Sequence, residues 1–230
     1  MEYKFELHCH TSESSPCGHA TAAETVRAYS KLGYAGIVIT DHMVIGQPED
    51  KWEEYCLNHR RGYEAAKKTG DECGLTVLYG WETTVLPCGG NDFLTYGLDT
   101  DWLLSHPEIN RMSLRKVLET YRAAGAFITH AHPLREADYI DHIALLPRLT
   151  DAAEMNANRT DAENDRAARF FAEYSVPTVC GSDNHHACGT GQKRLFAMMF
   201  PENPGTVEDL IRLMREGRYN MQMPEETPRC

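Results

Sequence analysis

Short apolar runs alternate with amphipathic stretches along the whole chain, and the switch between period two and period 3.6 predicts repeated strand and helix units. Tyr3–Leu7 predicts the first strand. Thr21–Leu32 predicts a helix, with Thr21 as N-cap and Glu24 three residues on, the two halves of a capping box. Gly36–Thr40 has the β-branched pattern of a buried strand, and Glu49–Gly70 carries a helical pattern ended by Gly70. Further strands are expected at Leu75–Tyr79, Asp92–Tyr96, Ala126–Thr129, Ala152–Met155, Pro177–Cys180 and Leu195–Phe200. Further helices are expected at Ser113–Ala124, closed by Gly125, at Asp161–Tyr174 and at Thr206–Glu216.

No internal repeat, low-complexity tract or long linker interrupts this pattern, so one domain over residues 1–220 with an extended tail at 221–230 is expected. Strand–helix alternation implies parallel pairing with the helices outside. With seven or so strands, an α/β fold of the distorted (β/α)7 TIM-like barrel type is favoured over an open sheet.

Composition narrows the function classes. At 42% hydrophobic and 25% charged residues the chain is an ordinary globular sequence. Its net charge of −11 argues against long nucleic acid as a partner and opposes phosphorylated substrates at long range. A phosphate site would need local cations. No apolar run approaches a membrane span, and Met1–Leu7 lacks the apolar core of a signal peptide. The eight cysteines are scattered without a C-x-x-C pair, which predicts reduced thiols used for packing and a cytoplasmic location. Cys9 stands between two histidines, with its side chain expected on the opposite face.

The positions of the histidines carry the chemistry. His8 and His10 follow the first strand as H-x-H, which puts both rings on one face. Asp41-His42 follows the second strand, Glu82 the third, His130 and His132 the fifth, and Asp183 and His185 the seventh. In parallel α/β folds the carboxyl ends of strands share one rim. Imidazole and carboxylate donors suit zinc, manganese or iron, and these are too many for one tetrahedral site, so two or three divalent metal ions are expected. Clustered cations would hold an anionic phosphate inside an acidic protein, and the chemistry that follows is metal-assisted hydrolysis. His59, His106 and His142 are expected to be ordinary hydrogen-bonded residues, and His186 a neighbour of the site.

The same residues resemble the PHP family, named for its polymerase and histidinol phosphatase members. The matching stretches are His8-Cys9-His10-Thr11, Gly33 through His42, Gly80-Trp81-Glu82, Ala131-His132-Pro133 and Gly181-Ser182-Asp183-Asn184-His185, in the family's order. The resemblance implies a distorted seven-stranded barrel that hydrolyses phosphate esters with two or three metals. It also implies His8, His10, His42, Glu82, His132, Asp183 and His185 as metal ligands, with Asp41 orienting one of them. Two departures stand out. The aspartate or histidine that the family often supplies after the H-x-H has His19 as its candidate here, and Asp92 stands where many members have a histidine.

Arg135 and Arg159 are candidate phosphate clamps, since a guanidinium offers a planar donor fork, and His130 is a candidate lining residue. His185 or His19 is the candidate for protonating the leaving oxygen. The expected activity is hydrolysis of a small phosphorylated metabolite, a phosphate monoester. The alternatives are a phosphodiesterase or exonuclease-like cut, and a non-catalytic metal-binding module.

Overall fold

The computed structural model describes residues 2–86, 90–187 and 194–225. In chain order it forms β1 (Tyr3–Cys9), α1 (Ala22–Lys31), β2 (Gly36–Ile39), β3 (His42–Ile45), α2 (Trp52–Cys73), β4 (Thr76–Val85), β5 (Phe93–Tyr96), α3 (Thr100–Ser105), α4 (Leu114–Ala123), β6 (Phe127–His130), β7 (Ala152–Asn156), α5 (Asp161–Ala172), β8 (Thr178–Gly181), β9 (Ala197–Phe200), α6 (Val207–Arg215) and β10 (Asn220–Gln222). The expected capping box forms: the Thr21 hydroxyl accepts from the Glu24 N–H while the Glu24 carboxylate accepts from the Thr21 N–H. Thr160 and Glu163 make a second one at the start of α5.

The strands share one sheet in the order β10-β9-β1-β2-β4-β5-β6-β7-β8, with β3 beside the upper half of β4. A parallel bridge between Cys9 and Asn184, just past β8, joins the last strand back to β1. The ring so closed runs through β1, β2, β4, β5, β6, β7 and β8, the seven-stranded distorted barrel that the sequence predicts. The distortion has a definite source. β5 is antiparallel to both β4 and β6 and interrupts an otherwise parallel ring.

Several elements differ from the sequence expectation, the short helix α3 among them. Helix α2 passes through Gly70 and ends at Gly74, whose φ of 72° supplies the left-handed cap. Gly70 serves packing instead, because a Cβ there would lie 2.6 Å from Val77 Cγ2. β4 continues to Val85 because β3, unforeseen from the apolar pattern, pairs with its upper half and sets His42 opposite Glu82. The sheet also takes in Met221 and Gln222, at the start of the expected tail, where β10 pairs with β9.

The core gathers in clusters around the barrel. One holds Phe5, Leu7, Leu94, Tyr96, Phe196 and Met198, and a second holds Trp52, Trp81, Phe93, Val117 and Tyr121. Among the described residues no helix is long and apolar enough to cross a membrane.

Candidate metal centre

β1 delivers the first two rings. Along it the register with β2 shifts between Glu6 and Cys9, three residues of β1 passing against two of β2, a bulge of the kind that re-aims side chains. His8 and His10 are both fully buried, and their Nε2 atoms face each other at 3.1 Å. Each Nδ1 already has an acceptor. His8 Nδ1 lies 2.8 Å from Glu154 Oε1. His10 Nδ1 lies 3.3 Å from Ser15 Oγ, which spends its own proton on Asp41 at 2.7 Å and so accepts from the ring. Both Nε2 atoms therefore point at the same space, where their lone pairs repel unless a proton or a metal ion stands between them.

The carboxylates complete that space. Glu82 Oε2 lies 3.4 Å from each Nε2, and Asp183 Oδ1 lies 3.5 Å from His8 Nε2 and 3.4 Å from His10 Nε2. Donors that surround one tetrahedral cation at ~2.0–2.2 Å stand roughly 3.4 Å apart. The donor set fits a divalent ion in both chemistry and spacing.

Glu82 is the hub. While Oε2 serves the first cluster and approaches His42 Nδ1 at 3.1 Å, Oε1 lies 2.8 Å from His132 Nε2. Glu82, Asp92 and His132 form a second group of donors within 4.8 Å of one another. Asp92 is held by the Thr84 hydroxyl at 2.6 Å. His132 and Asp183 both have positive φ, 29° and 52°, in the region that non-glycine residues seldom occupy. Strain of this kind concentrates where a side chain must be aimed, and here it accompanies one donor in each of the two neighbouring groups.

A third group, half-buried at the outer side, joins His10, Cys17, His42 and His185, with donor atoms within 4.8 Å of one another. His185 donates its Nδ1 proton to the Asp183 carbonyl at 2.9 Å, which leaves Nε2 free. Asp41 works from behind. Its carboxylate accepts from the Thr11 N–H, the Thr11 hydroxyl and Ser15, each at 2.7 Å, and reaches His10 through Ser15. The link from Asp41 to His10 thus runs through one hydroxyl rather than directly.

The structure brings His8, His10, His42, Glu82, Asp92, His132, Asp183 and His185 together. It does not bring in His19, which is exposed and stacks on His186 at 4.7 Å between ring centroids. Cys17, two residues nearer, is the residue of this turn that lies beside His10, His42 and His185, because the turn from Thr11 to Ala20 folds back on itself. His130 also stays out: its ring packs against Phe93 and Phe171 at 4.4 and 5.4 Å. Arg135 pairs with Tyr139 on the β6–β7 loop. Arg159 follows Asn158, whose amide holds the Asp183 carbonyl at 2.8 Å, and the Arg159 Nε is buried without a partner. His59 is a structural residue, bonded to Tyr79 and to the Asp41 carbonyl.

Sequence reasoning missed Glu154. Its Oε2 also accepts from the His132 N–H and from Asn156, both at 2.8 Å, so one carboxylate fixes two donor-bearing segments. The available signal was an acid in the middle of a buried strand, which needs a partner. Glu154→Gln keeps the acceptor but removes its charge, and it is expected to weaken metal affinity by about 10–100-fold, as outer-shell partners do. Competition with a chromophoric chelator measures this directly.

Electrostatics describe the same geometry. Burial opposes a charge on His8, yet Glu154, Glu82 and Asp183 raise it well above the usual histidine range, while burial pushes His10 down to about 3. One proton is held between two rings. Against its burial, His42 is raised to about 9 by the Glu82 charge, and His185 is raised through Cys17 and Asp183. The Cys17 thiol, despite burial, is lowered to about 7 by His185 and His42. Burial holds Asp41 up at about 6.

Metal must displace these protons. His8 and His42 carry them at pH 7, so metal uptake at pH 7 is expected to release more than one proton per chain and to tighten as pH rises toward 9. Calorimetric titrations in buffers of different ionisation enthalpy check this, and the same apparent enthalpy in every buffer would sink it.

Comparisons with known proteins agree with this geometry. Residues 6–175 match the family model for the PHP domain, and residues 161–219 match the model described as PHP-associated. The chain is similar in fold to a two-domain protein from Bacteroides vulgatus that contains a predicted PHP-like metal-dependent phosphoesterase, with TM-score 0.66 and 15% identity over 96% of this chain. It spans 65% of that protein's length. It is also similar to a putative metal-dependent phosphoesterase from Bifidobacterium adolescentis, with TM-score 0.55, 18% identity and coverage of 92% and 96% of the two chains. PsfC from Pseudomonas syringae matches with TM-score 0.63 and 16% identity over 97% of this chain and 92% of its own. No curated protein matches the sequence. The family model covers well over half of the residues and every donor up to His132, and on that ground the chain belongs to the PHP domain family.

Proposed function

We propose that this chain is a phosphatase for a small phosphate monoester, acting with two or three divalent ions of the zinc, manganese or iron kind at the barrel mouth. The observation that carries the reading is the pair of facing histidine nitrogens, 3.1 Å apart within a ring of carboxylates. Bound there, divalent ions supply positive charge to phosphoryl oxygens and acidify the attacking water.

The chain's own residues do the rest. His8, His10, Glu82 and Asp183 hold the inner position, and Glu82, Asp92 and His132 the adjoining one. Glu154 and the Asp41–Ser15 relay keep the His8 and His10 protons on Nδ1. A net charge of −11 repels an anionic substrate at long range, so only cations at the mouth admit it. Arg159, whose buried Nε is without a partner, and Arg135, bonded to Tyr139, are the candidate phosphate clamps. His185, at the outer donor group, or His19, exposed beside His186, is the ring that protonates the leaving oxygen. The free thiols among the described cysteines suit a cytoplasmic setting.

The test is a phosphatase screen over phosphorylated metabolites with metal-stripped and reloaded protein, a diester for comparison and His10→Ala as control. Release of phosphate from monoesters by the reloaded protein alone supports the reading. Faster cleavage of the diester moves the assignment to phosphodiesterase, and a silent panel at full metal occupancy moves it to a binding module.

A further inference from the structure

The outer donor group contains sulfur, and the family pattern offers aspartate or histidine near that position. We infer that Cys17 is a thiolate ligand and that, with His42 and His185, it forms a Cys-His-His position that selects a borderline-soft ion such as zinc, cobalt or ferrous iron over manganese or magnesium. The inference rests on the metal-centre reading of the same mouth.

Geometry makes the assignment. The Cys17 sulfur and the donors of His42, His185 and His10 lie within 4.8 Å of one another. His10 is already committed on both nitrogens, to Ser15 on one side and to the His8, Glu82 and Asp183 cluster on the other. Three ligands therefore remain for the outer position. His185 is fixed in the tautomer that leaves Nε2 free, since Nδ1 donates to the Asp183 carbonyl. His42 and His185 both stack on the His10 ring, at 4.7 and 4.3 Å between centroids.

Cys17 is not a loop thiol that happens to be near. The Ser15 N–H donates to the Thr11 carbonyl, the Gly18 N–H to the Ser15 carbonyl and the Ser12 N–H to the Ala20 carbonyl, each at 2.9 Å. A Cβ on Gly18 would stand 2.5 Å from the Thr11 carbonyl, so only glycine lets the turn close this tightly. The turn is further tied to Asp41 through Thr11 and Ser15. The sulfur is thus presented by a braced loop. Cys17, His42 and His185 are each half-buried, which leaves the position open on the solvent side, as a site with three protein ligands requires if substrate is to reach it.

Ligand type then decides the ion. Thiolate and imidazole suit zinc, cobalt and ferrous iron, whereas manganese and magnesium favour carboxylate and water. The inner clusters, built from carboxylate and imidazole, carry no such bias. The centre is therefore mixed, with a sulfur-bearing outer position beside sulfur-free inner ones.

Cobalt reports the difference without any substrate. Metal-stripped protein saturated with Co(II) is expected to show a near-ultraviolet thiolate-to-cobalt charge-transfer band in addition to visible ligand-field bands. Cys17→Ser should lose the charge-transfer band and keep visible bands from the inner positions, which also show that the variant is folded. Cys17→Asp should lose the band while still binding the full complement of ions, with its outer position now accepting manganese in competition with zinc. Absence of the charge-transfer band in saturated wild-type protein, or its persistence in Cys17→Ser, overturns the inference. A protein with the band but no phosphatase activity would sink the proposed reaction and leave this ligand assignment standing. Full phosphatase activity without the band would do the reverse.

Discussion

Glu82→Gln is expected to empty the centre and reduce kcat/KM by well over the ~100-fold that marks the loss of an outer-shell partner. The substitution is nearly isosteric, so it leaves shape and packing intact and removes one negative charge. That charge serves every part of the site at once. Oε2 lies 3.4 Å from His8 and His10 and 3.1 Å from His42, and Oε1 lies 2.8 Å from His132. Its fully buried carboxyl is held well below the usual range, against burial, by His8 and His42. In the variant His42 should also fall from its raised value of about 9, because burial lowers it and the Glu82 charge is the main cause of the rise. Metal analysis of the purified variant and kinetics on a phosphate ester that the wild type hydrolyses provide the check. A variant that retains full metal content would refute Glu82 as the shared carboxylate.

The strand-end reasoning pointed to these donors because most lie where a parallel barrel must place them, at the carboxyl ends of β1 and β8, just beyond β2 and β6, and in the upper half of β4. What it misplaced shows where local pattern gives out. His130 and His132 stand two residues apart and would share one face of an extended chain. Past β6, however, His132 turns to φ 29°, and the two rings part, one toward Glu82 and the other toward Phe93 and Phe171. Asp92 was legible from the place it takes in the motif order, whereas Glu154 sits in a strand that the apolar pattern found, and only the barrel's closure reveals which side chains it meets. Cys17 was invisible for a different reason. A cysteine without a second cysteine nearby looks like packing, and the turn that returns it to the site is built from backbone hydrogen bonds and one tight glycine. Spacing rules along the sequence carry no record of such contacts.

Gly62→Ala should destabilise the protein, although the same change in an exposed helix interior ordinarily stabilises by about 1 kcal/mol. Gly62 lies within α2, where that helix crosses behind the site. A Cβ there would stand 2.2 Å from Thr11 Oγ1 and 2.3 Å from Asp41 Oδ2, the partners of a 2.7 Å hydrogen bond. Both residues are buried, so neither can swing into water to make room. The helix must move out or the Asp41–Thr11 bond must break. Overpacking of this kind costs about 1–3 kcal/mol, and a buried hydrogen-bonding group left unpaired costs a similar amount again. A net loss of about 2–4 kcal/mol is expected in denaturant unfolding of the metal-free protein. The effect should also reach the metal, because Asp41 accepts from the Ser15 hydroxyl that takes the His10 Nδ1 proton. If Asp41 shifts, Ser15 loses its acceptor and His10 loses the bond that keeps Nε2 free. Zinc affinity should therefore fall along with stability, whereas a purely structural glycine would cost stability alone. An alanine variant as stable as wild type, with unchanged zinc affinity, would mean that Asp41 does not position His10.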